Sequence, residues 1–140
     1  MPMRHFMKLA VILLAPLAMQ AAEAADYKKV EKLLDTQTTN IGQQIHYPAG
    51  GPAKVTSVIV TLMPGEKTGR HKHPVPLYAY MLSGELSIDY GEDRVRAYKA
   101  GDAFVEAQDT WHDGTNTGTE PTRILAVFMG MVGTDNVIRP

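Results

Sequence analysis

The chain has 140 residues, of which 44% are hydrophobic and 21% charged, a composition typical of a globular protein rather than a disordered, collagen-like or coiled-coil chain. Fourteen basic and fifteen acidic residues give a net charge of -1, so no basic surplus is available for binding nucleic acid. Because the chain contains no cysteine, disulfides, thiolate metal sites and cysteine nucleophiles are excluded, and any metal must be held by nitrogen or oxygen.

The first residues have the pattern of an export signal. Arg4 and Lys8 flank the start of an apolar run over residues 9–19, which is followed by small residues and an Ala-x-Ala cleavage site. The run is about half as long as the roughly 20 apolar residues that span a membrane, so stable membrane insertion is not expected. The pattern predicts cleavage after Ala24 and a periplasmic or secreted protein, with an uncleaved anchor as the alternative.

The segment after the signal predicts a short helix. Within residues 26–36, Val30, Leu33 and Leu34 recur at helical spacing while lysine and glutamate occupy the other positions. The predicted division is therefore a signal peptide over 1–24, an N-terminal helix and edge-strand segment over 25–54, and a β-domain over 55–140.

From residue 55 onward the pattern changes to short β-rich runs separated by turn residues. They predict six strands, at residues 55–62, 77–82, 86–90, 95–98, 103–106 and 123–129. The polar stretch over 113–121 is predicted to be a loop. Several short strands with no long helix between them favour an all-β antiparallel sandwich or barrel.

Three histidines stand in positions that suit a metal. His71 and His73 are separated by one residue, so on a strand their side chains point to the same face. His112 follows a strand-like run, and two adjacent strands of a barrel would bring the three imidazoles to one ion. The sequence therefore predicts His71, His73 and His112 as metal ligands.

Two segments resemble the paired motifs of the cupin superfamily. The first runs from Gly65 through His71 and His73 to Gly84, and the second runs from Gly101 to His112 and four residues beyond. The resemblance covers about residues 55–130. It implies a double-stranded β-helix jelly roll, the cupin barrel, whose interior holds a divalent metal, usually iron, manganese, nickel, copper or zinc.

The chain departs from the cupin pattern at one ligand. The family has a glutamate four residues after the second histidine, and here that residue is Leu77. Ala107 and Asp109 replace the usual proline and glycine of the second motif. Glu66 and Glu106 are the carboxylates nearest the histidines in sequence, and either is able to replace the missing ligand, although solvent exposure is the simpler interpretation for both.

The residues around the histidines predict an apolar pocket. Alternation and the second motif give its predicted lining as Val75, Leu77, Ala79, Met81, Phe104 and Trp111. Asn116 is predicted to orient the imidazole of His112 through a hydrogen bond. An apolar wall beside a cationic metal suits a small organic anion.

Three interpretations of the function remain open. Some cupins with three histidines and no glutamate are dioxygenases, so the resemblance implies a metal-dependent oxidoreductase acting on a small organic anion. A barrel that has lost its glutamate is also consistent with a non-catalytic module that binds a metal or a small ligand. The third interpretation is a structural barrel whose role is to dimerise through its N-terminal segment. A homodimer is predicted because jelly rolls of this size commonly pair by exchanging edge strands.

Overall fold

The regular structure of the chain consists of seven strands. The computed structural model describes residues 29–140, and the predicted export signal with its cleavage site after Ala24 lies outside them. The strands are β1 (Ala53–Leu62), β2 (Leu77–Ser83), β3 (Glu85–Asp89), β4 (Val95–Lys99), β5 (Ala103–Val105), β6 (Asp113–Thr115) and β7 (Thr122–Met131). Over this part of the chain no helix is long and apolar enough to cross a membrane.

The strands form two antiparallel sheets. The larger has the order β1-β7-β2-β5 and the smaller the order β4-β3-β6. β2 and β3 are consecutive in the chain but belong to different sheets. This arrangement confirms the predicted all-β jelly-roll architecture.

All six predicted strands are present, with ends that differ by no more than two residues from the predicted ones. The additional strand, β6, lies in the stretch predicted to be a loop. Its sequence is Asp-Gly-Thr, which has no apolar alternation, and it becomes a strand because it pairs with β3 through Ser87 and Thr115, Ile88 and Gly114, and Asp89 and Asp113.

The predicted N-terminal helix is wrong for the residues that the structure describes. Residues 29–36 have no helical structure, and residues 26–28 lie outside the described chain. Val30 and Leu33 are 80% and 48% exposed, so the apolar stripe is not buried, and a helix this short is unstable in water without such burial. Further along the N-terminal segment, the backbone amide of Asn40 donates to the Val105 carbonyl of β5 at 2.7 Å.

Strict alternation places the core on one face of the larger sheet. On β2, Leu77, Ala79 and Met81 are buried, and they pair with the buried Phe128, Ala126 and Ile124 of β7. Leu86 and Ile88 of β3 join the same apolar cluster from the smaller sheet. Burying each large aliphatic or aromatic side chain stabilises the fold by about 1.5–3 kcal/mol, so this shared interior holds the two sheets together.

The passage from β2 to β3 requires a glycine. Gly84 has a φ of 76°, and a Cβ atom there would lie 2.6 Å from Thr122 Oγ1 and 2.7 Å from Thr122 Cα. The Thr122 hydroxyl donates to the Glu85 carbonyl and accepts a hydrogen bond from the Glu85 amide. The chain thus changes sheets in contact with the start of β7, with no room for a side chain.

Candidate metal centre

The three histidines converge on one point inside the barrel. His71 and His112 pair directly, each amide donating to the other residue's carbonyl at 2.9 Å. His73 lies on the same face two residues after His71. One ring nitrogen from each histidine lies within 4.8 Å of the others, and all three residues are at least 92% buried, with exposures of 8%, 3% and 2%.

Backbone carbonyls fix the orientation of each imidazole. The Nδ1 atoms of His71, His73 and His112 lie 2.7, 2.8 and 2.8 Å from the carbonyl oxygens of Gly69, Asn136 and Thr110. Because a carbonyl only accepts hydrogen bonds, each Nδ1 must carry a hydrogen. In a neutral ring the Nε2 atom then holds a free lone pair, which is the form that binds a metal.

A buried carboxylate joins the histidines. Glu106 is only 8% exposed, and its two oxygens lie 3.1 Å from His112 Nε2 and 3.5 Å from His73 Nε2. Solvent exposure was therefore the wrong interpretation for Glu106. It is right for Glu66, which is exposed and accepts a hydrogen bond from the Met63 amide.

Glu106 stands opposite the position where the cupin pattern has its glutamate. In the antiparallel pairing of β2 and β5, Tyr78 lies opposite Val105, so the next pair is Leu77 opposite Glu106. The backbone amide of Glu106 donates to the Leu77 carbonyl at 2.9 Å. Directly opposed residues of antiparallel strands share a face. Glu106, directly across from residue 77, thus supplies the carboxylate that residue 77 lacks.

The protonation of the cluster favours a positive charge beside Glu106. Burial raises the pKa of Glu106, but the imidazoles of His112 and His73 outweigh burial and hold the pKa well below its usual range. Burial lowers the pKa of His112, and the carboxylate more than offsets it, so this pKa is raised. For His71 burial prevails and the pKa is lowered. The carboxylate is therefore ionised and attracts a cation.

The donor set fits a divalent transition metal. His112 Nε2 is buried with no hydrogen-bond partner among the described residues, and a carboxylate oxygen of Glu106 lies 3.1 Å from it. Two ligand atoms that each lie about 2.1 Å from an ion, with a ligand–ion–ligand angle of about 90–110°, are about 3.0–3.4 Å apart. The separations between Glu106 and its two histidines are close to this range, which suits a shared ion.

A tyrosine supports the carboxylate from behind. The Tyr90 hydroxyl donates a hydrogen bond to Glu106 Oε1 at 3.4 Å. The side-chain amide of Asn40 in turn donates to the hydroxyls of Tyr90 and Tyr98, at 2.7 and 2.8 Å. Burial raises the pKa of Tyr90, so its hydroxyl stays protonated. Tyr90 is not among the site residues predicted from the sequence, although it continues the inward alternation of Leu86 and Ile88.

The histidines open onto a cavity of about 330 Å³. Of the predicted lining residues, Leu77, Ala79 and Phe104 line it. Ile124 and Phe128 of β7 contribute further apolar wall. The cavity is thus apolar except at its metal-binding end and at its mouth.

Three predicted lining residues lie elsewhere. Val75 and Met81 are fully buried in the core, outside the cavity lining. Trp111 is also outside the cavity lining. Its ring lies 5.9 Å from the guanidinium of Arg70 and 5.5 Å from the ammonium of Lys72.

The predicted role of Asn116 is also corrected. Its amide donates to the carbonyls of Leu62 and Glu120, and its oxygen accepts from the Gly118 amide. Asn116 therefore holds the turn before β7 and joins it to the end of β1. His112 is oriented instead by the hydrogen bond that its Nδ1–H donates to the Thr110 carbonyl, which no side-chain motif reveals.

The sequence comparison agrees with this geometry. The profile of the cupin domain family matches residues 58–128, which contain all three histidines and Glu106. The chain belongs to the cupin family. No curated protein matches this cupin significantly.

Solved structures with similar folds include two oxalate decarboxylases. One, described for a structural element that modulates proton-coupled electron transfer, is 29% identical with a TM-score of 0.50, and the match covers 55% of this cupin and 22% of that chain. The Lactobacillus farciminis enzyme in its formate complex is 26% identical with a TM-score of 0.52, covering 60% and 26%. This cupin thus spans about a quarter of the length of these enzymes.

A third structure has a length closer to that of this cupin. It is an uncharacterised conserved protein with a double-stranded β-helix domain from Klebsiella pneumoniae, 23% identical with a TM-score of 0.52. The match covers 66% of this cupin and 83% of that chain. At this identity the likeness concerns the fold.

Proposed function

We propose that this cupin is a metal-dependent oxidoreductase, dioxygenase-like in its reaction, that acts on a small organic anion. His71, His73, His112 and Glu106 would hold a divalent transition metal. The observation that carries the proposal is the convergence of three imidazole nitrogens and an ionised, buried carboxylate at one end of an apolar cavity.

The residues of the chain have separate tasks in this proposal. The carbonyls of Gly69, Asn136 and Thr110 hold the imidazoles in one tautomer and orientation. Tyr90 donates a hydrogen bond that orients Glu106. A bound metal would supply Lewis acidity and polarise a substrate oxygen. The apolar wall excludes water, and its volume of about 330 Å³ suits a small ligand.

The proposed metal is iron, manganese, nickel, copper or zinc. Imidazole nitrogen suits zinc, copper, iron and nickel, and a carboxylate oxygen extends the range to manganese. With three neutral nitrogens and one carboxylate, a divalent ion keeps a net positive charge at the site. That charge favours an anionic substrate group.

The first experiment measures the metal content of the chain purified from its native compartment without added metal. We expect about one transition-metal ion per chain, lost in a His71→Ala/His73→Ala variant because two of the ligands are gone. His46→Ala is the matched control, since His46 is exposed and lies outside the cluster. A metal-free protein whose melting temperature is unchanged by all five metals contradicts the proposal.

Turnover is tested separately from metal binding. The metal-loaded protein is incubated with small organic acids while dissolved oxygen is followed. Oxygen consumption that the His71→Ala/His73→Ala variant lacks supports an oxidase or dioxygenase. Stoichiometric metal without turnover of any acid favours a binding module.

We also propose that the chain is exported, on the basis of the charged, apolar and small-residue segments within residues 4–25. Cell fractionation and N-terminal sequencing test this proposal. We expect the protein in the periplasm or medium with a new N-terminus at Ala25. A cytoplasmic protein that retains Met1 contradicts it.

A homodimer is proposed from the surface of β1. This strand is at the end of the larger sheet, and Val55 and Ile59 on its outer face are 68% and 52% exposed. An apolar edge strand is a site for pairing with a second copy. Sedimentation should show a dimer that Ile59→Lys converts to a monomer, and a monomeric wild type contradicts the proposal.

A further inference from the structure

The mouth of the cavity carries two positive charges. Lys67, Val137 and Arg139 are the exposed residues that line the cavity, so they mark where it opens to solvent. Lys67 precedes the loop that leads to His71, and Arg139 comes from the C-terminal end of the chain. Both cationic side chains therefore stand at the entrance that leads to the histidines.

The C-terminal segment is held in place at this entrance. Lys72 and Ile138 exchange two backbone hydrogen bonds, at 3.0 and 2.9 Å, next to the metal-binding histidines. The Arg139 guanidinium then donates to the Thr68 carbonyl at 3.2 Å. A guanidinium has five N–H donors, so most of them remain for a ligand.

The two charges at the mouth are not neutralised. Within residues 29–140, neither Lys67 nor Arg139 has an acidic partner. Glu106 is the acidic residue of the cavity lining, and its carboxylate contacts His112 and His73 rather than either of these cations. Unpaired cations beside an apolar wall concentrate the electrostatic field and attract an anion.

We propose that Arg139, assisted by Lys67, binds the anionic group of the substrate at the mouth, and that the substrate is a small carboxylate with an apolar body. The carboxylate then contacts the guanidinium while the apolar body lies along Leu77, Phe104 and Phe128, toward the histidines. This inference rests on the proposed function, because it assigns the substrate class of the same cavity. It makes Arg139 a specificity-determining residue.

The test is the binding of benzoate to the zinc-loaded protein by calorimetry, with benzyl alcohol as a neutral probe of the same apolar body. We expect Arg139→Gln to weaken benzoate binding about ten-fold or more and to leave benzyl alcohol binding unchanged. Arg139→Lys should retain part of the benzoate affinity, since the positive charge remains while the planar guanidinium, which binds a carboxylate through two N–H groups, is lost. Arg123→Gln is the matched control, because Arg123 is exposed on β7 outside the cavity lining.

Zinc content measured on the same samples tests the proposed metal site separately from the proposed anion site at Arg139. Stoichiometric zinc with equal benzoate affinity in wild type and Arg139→Gln overturns the anion site and leaves the metal proposal standing. A zinc-free wild type that binds benzoate through Arg139 supports the anion site and contradicts the metal proposal. Failure of the wild type to bind benzoate overturns this inference.

Discussion

Glu106 shows how a ligand can move between paired strands without leaving its face. The cupin pattern places its carboxylate at residue 77, which is leucine here, and the Glu106 amide is bonded to the Leu77 carbonyl. Sequence spacing predicts which residues of one strand share a face. It does not predict which residue of another strand stands opposite, because that register depends on the folded sheet. The three histidines were therefore predictable from the sequence, whereas Glu106 was only one of two candidate carboxylates, and the sequence did not distinguish it from Glu66.

Replacing the carboxylate should weaken metal binding. We expect Glu106→Gln to lower zinc affinity about ten-fold or more, because the amide cannot neutralise the ion and orients the histidines less well. Competition against a chromogenic chelator measures the change. Glu66→Gln is the control, since Glu66 is an exposed carboxylate of the first motif. Equal affinities in Glu106→Gln and wild type would show that the ion does not contact Glu106.

A second substitution should move the carboxylate back. In the Glu106→Gln background, Leu77→Glu places a carboxylate on the same face from the opposite strand, so we expect recovery of part of the lost zinc affinity. In the wild-type background the same change buries a second carboxylate and should lower the melting temperature. The same chelator competition and a thermal scan test both outcomes. A double variant that folds but binds no better than Glu106→Gln argues against a shared face.

At the scale of the elements, alternation predicted the six strands. β2, β3, β5 and β7 have apolar residues that the core buries, whereas β1 and β4 contribute only Val60, Leu62 and Tyr98 to it. β6 and the C-terminal segment lack that signal. They are ordered by pairing with β3 and with Lys72, respectively, and such partners are distant in sequence. The prediction of an N-terminal helix was wrong for the opposite reason, because the sequence signal is present and the packing is absent. Val30 and Leu33 have helical spacing, but they are not buried, and burial is what stabilises a short helix.

The turn between the two sheets should tolerate no side chain. We expect Gly84→Ala to lower the free energy of unfolding by about 2 kcal/mol or more, because the Cβ atom collides with Thr122 in addition to the strain of a positive φ. Gly91→Ala is the control. Gly91 has a φ of 74° with open space around it, so the backbone strain alone should cost about 1 kcal/mol. Urea unfolding measures both, and similar losses would show that the turn can relax.

At the scale of the whole molecule, the residues of the centre come from separate parts of the chain. His71 and His73 precede β2, Glu106 follows β5, and His112 precedes β6. A bound ion would connect these segments directly. The folded state would then be favoured over the unfolded chain, in which the ligands are far apart.

Metal should therefore stabilise the entire barrel. At a free zinc concentration of about one hundred times the dissociation constant, binding contributes about 2.7 kcal/mol. For a domain of this size we expect the melting temperature to rise by about 5 °C or more. Differential scanning calorimetry measures the rise, and His73→Ala should show a much smaller one. An equal rise in both proteins would place the zinc elsewhere.

Within four residues, the C-terminal segment contacts the histidine cluster and also lines the mouth of the cavity. The carbonyl of Asn136 orients His73, and Arg139 reaches the mouth. An anion that holds Arg139 in place also restrains the carbonyl on which His73 depends. Thermodynamic linkage then requires reciprocity: the factor by which the anion tightens metal binding equals the factor by which the metal tightens anion binding. The two ligands would be cooperative through one short stretch of backbone.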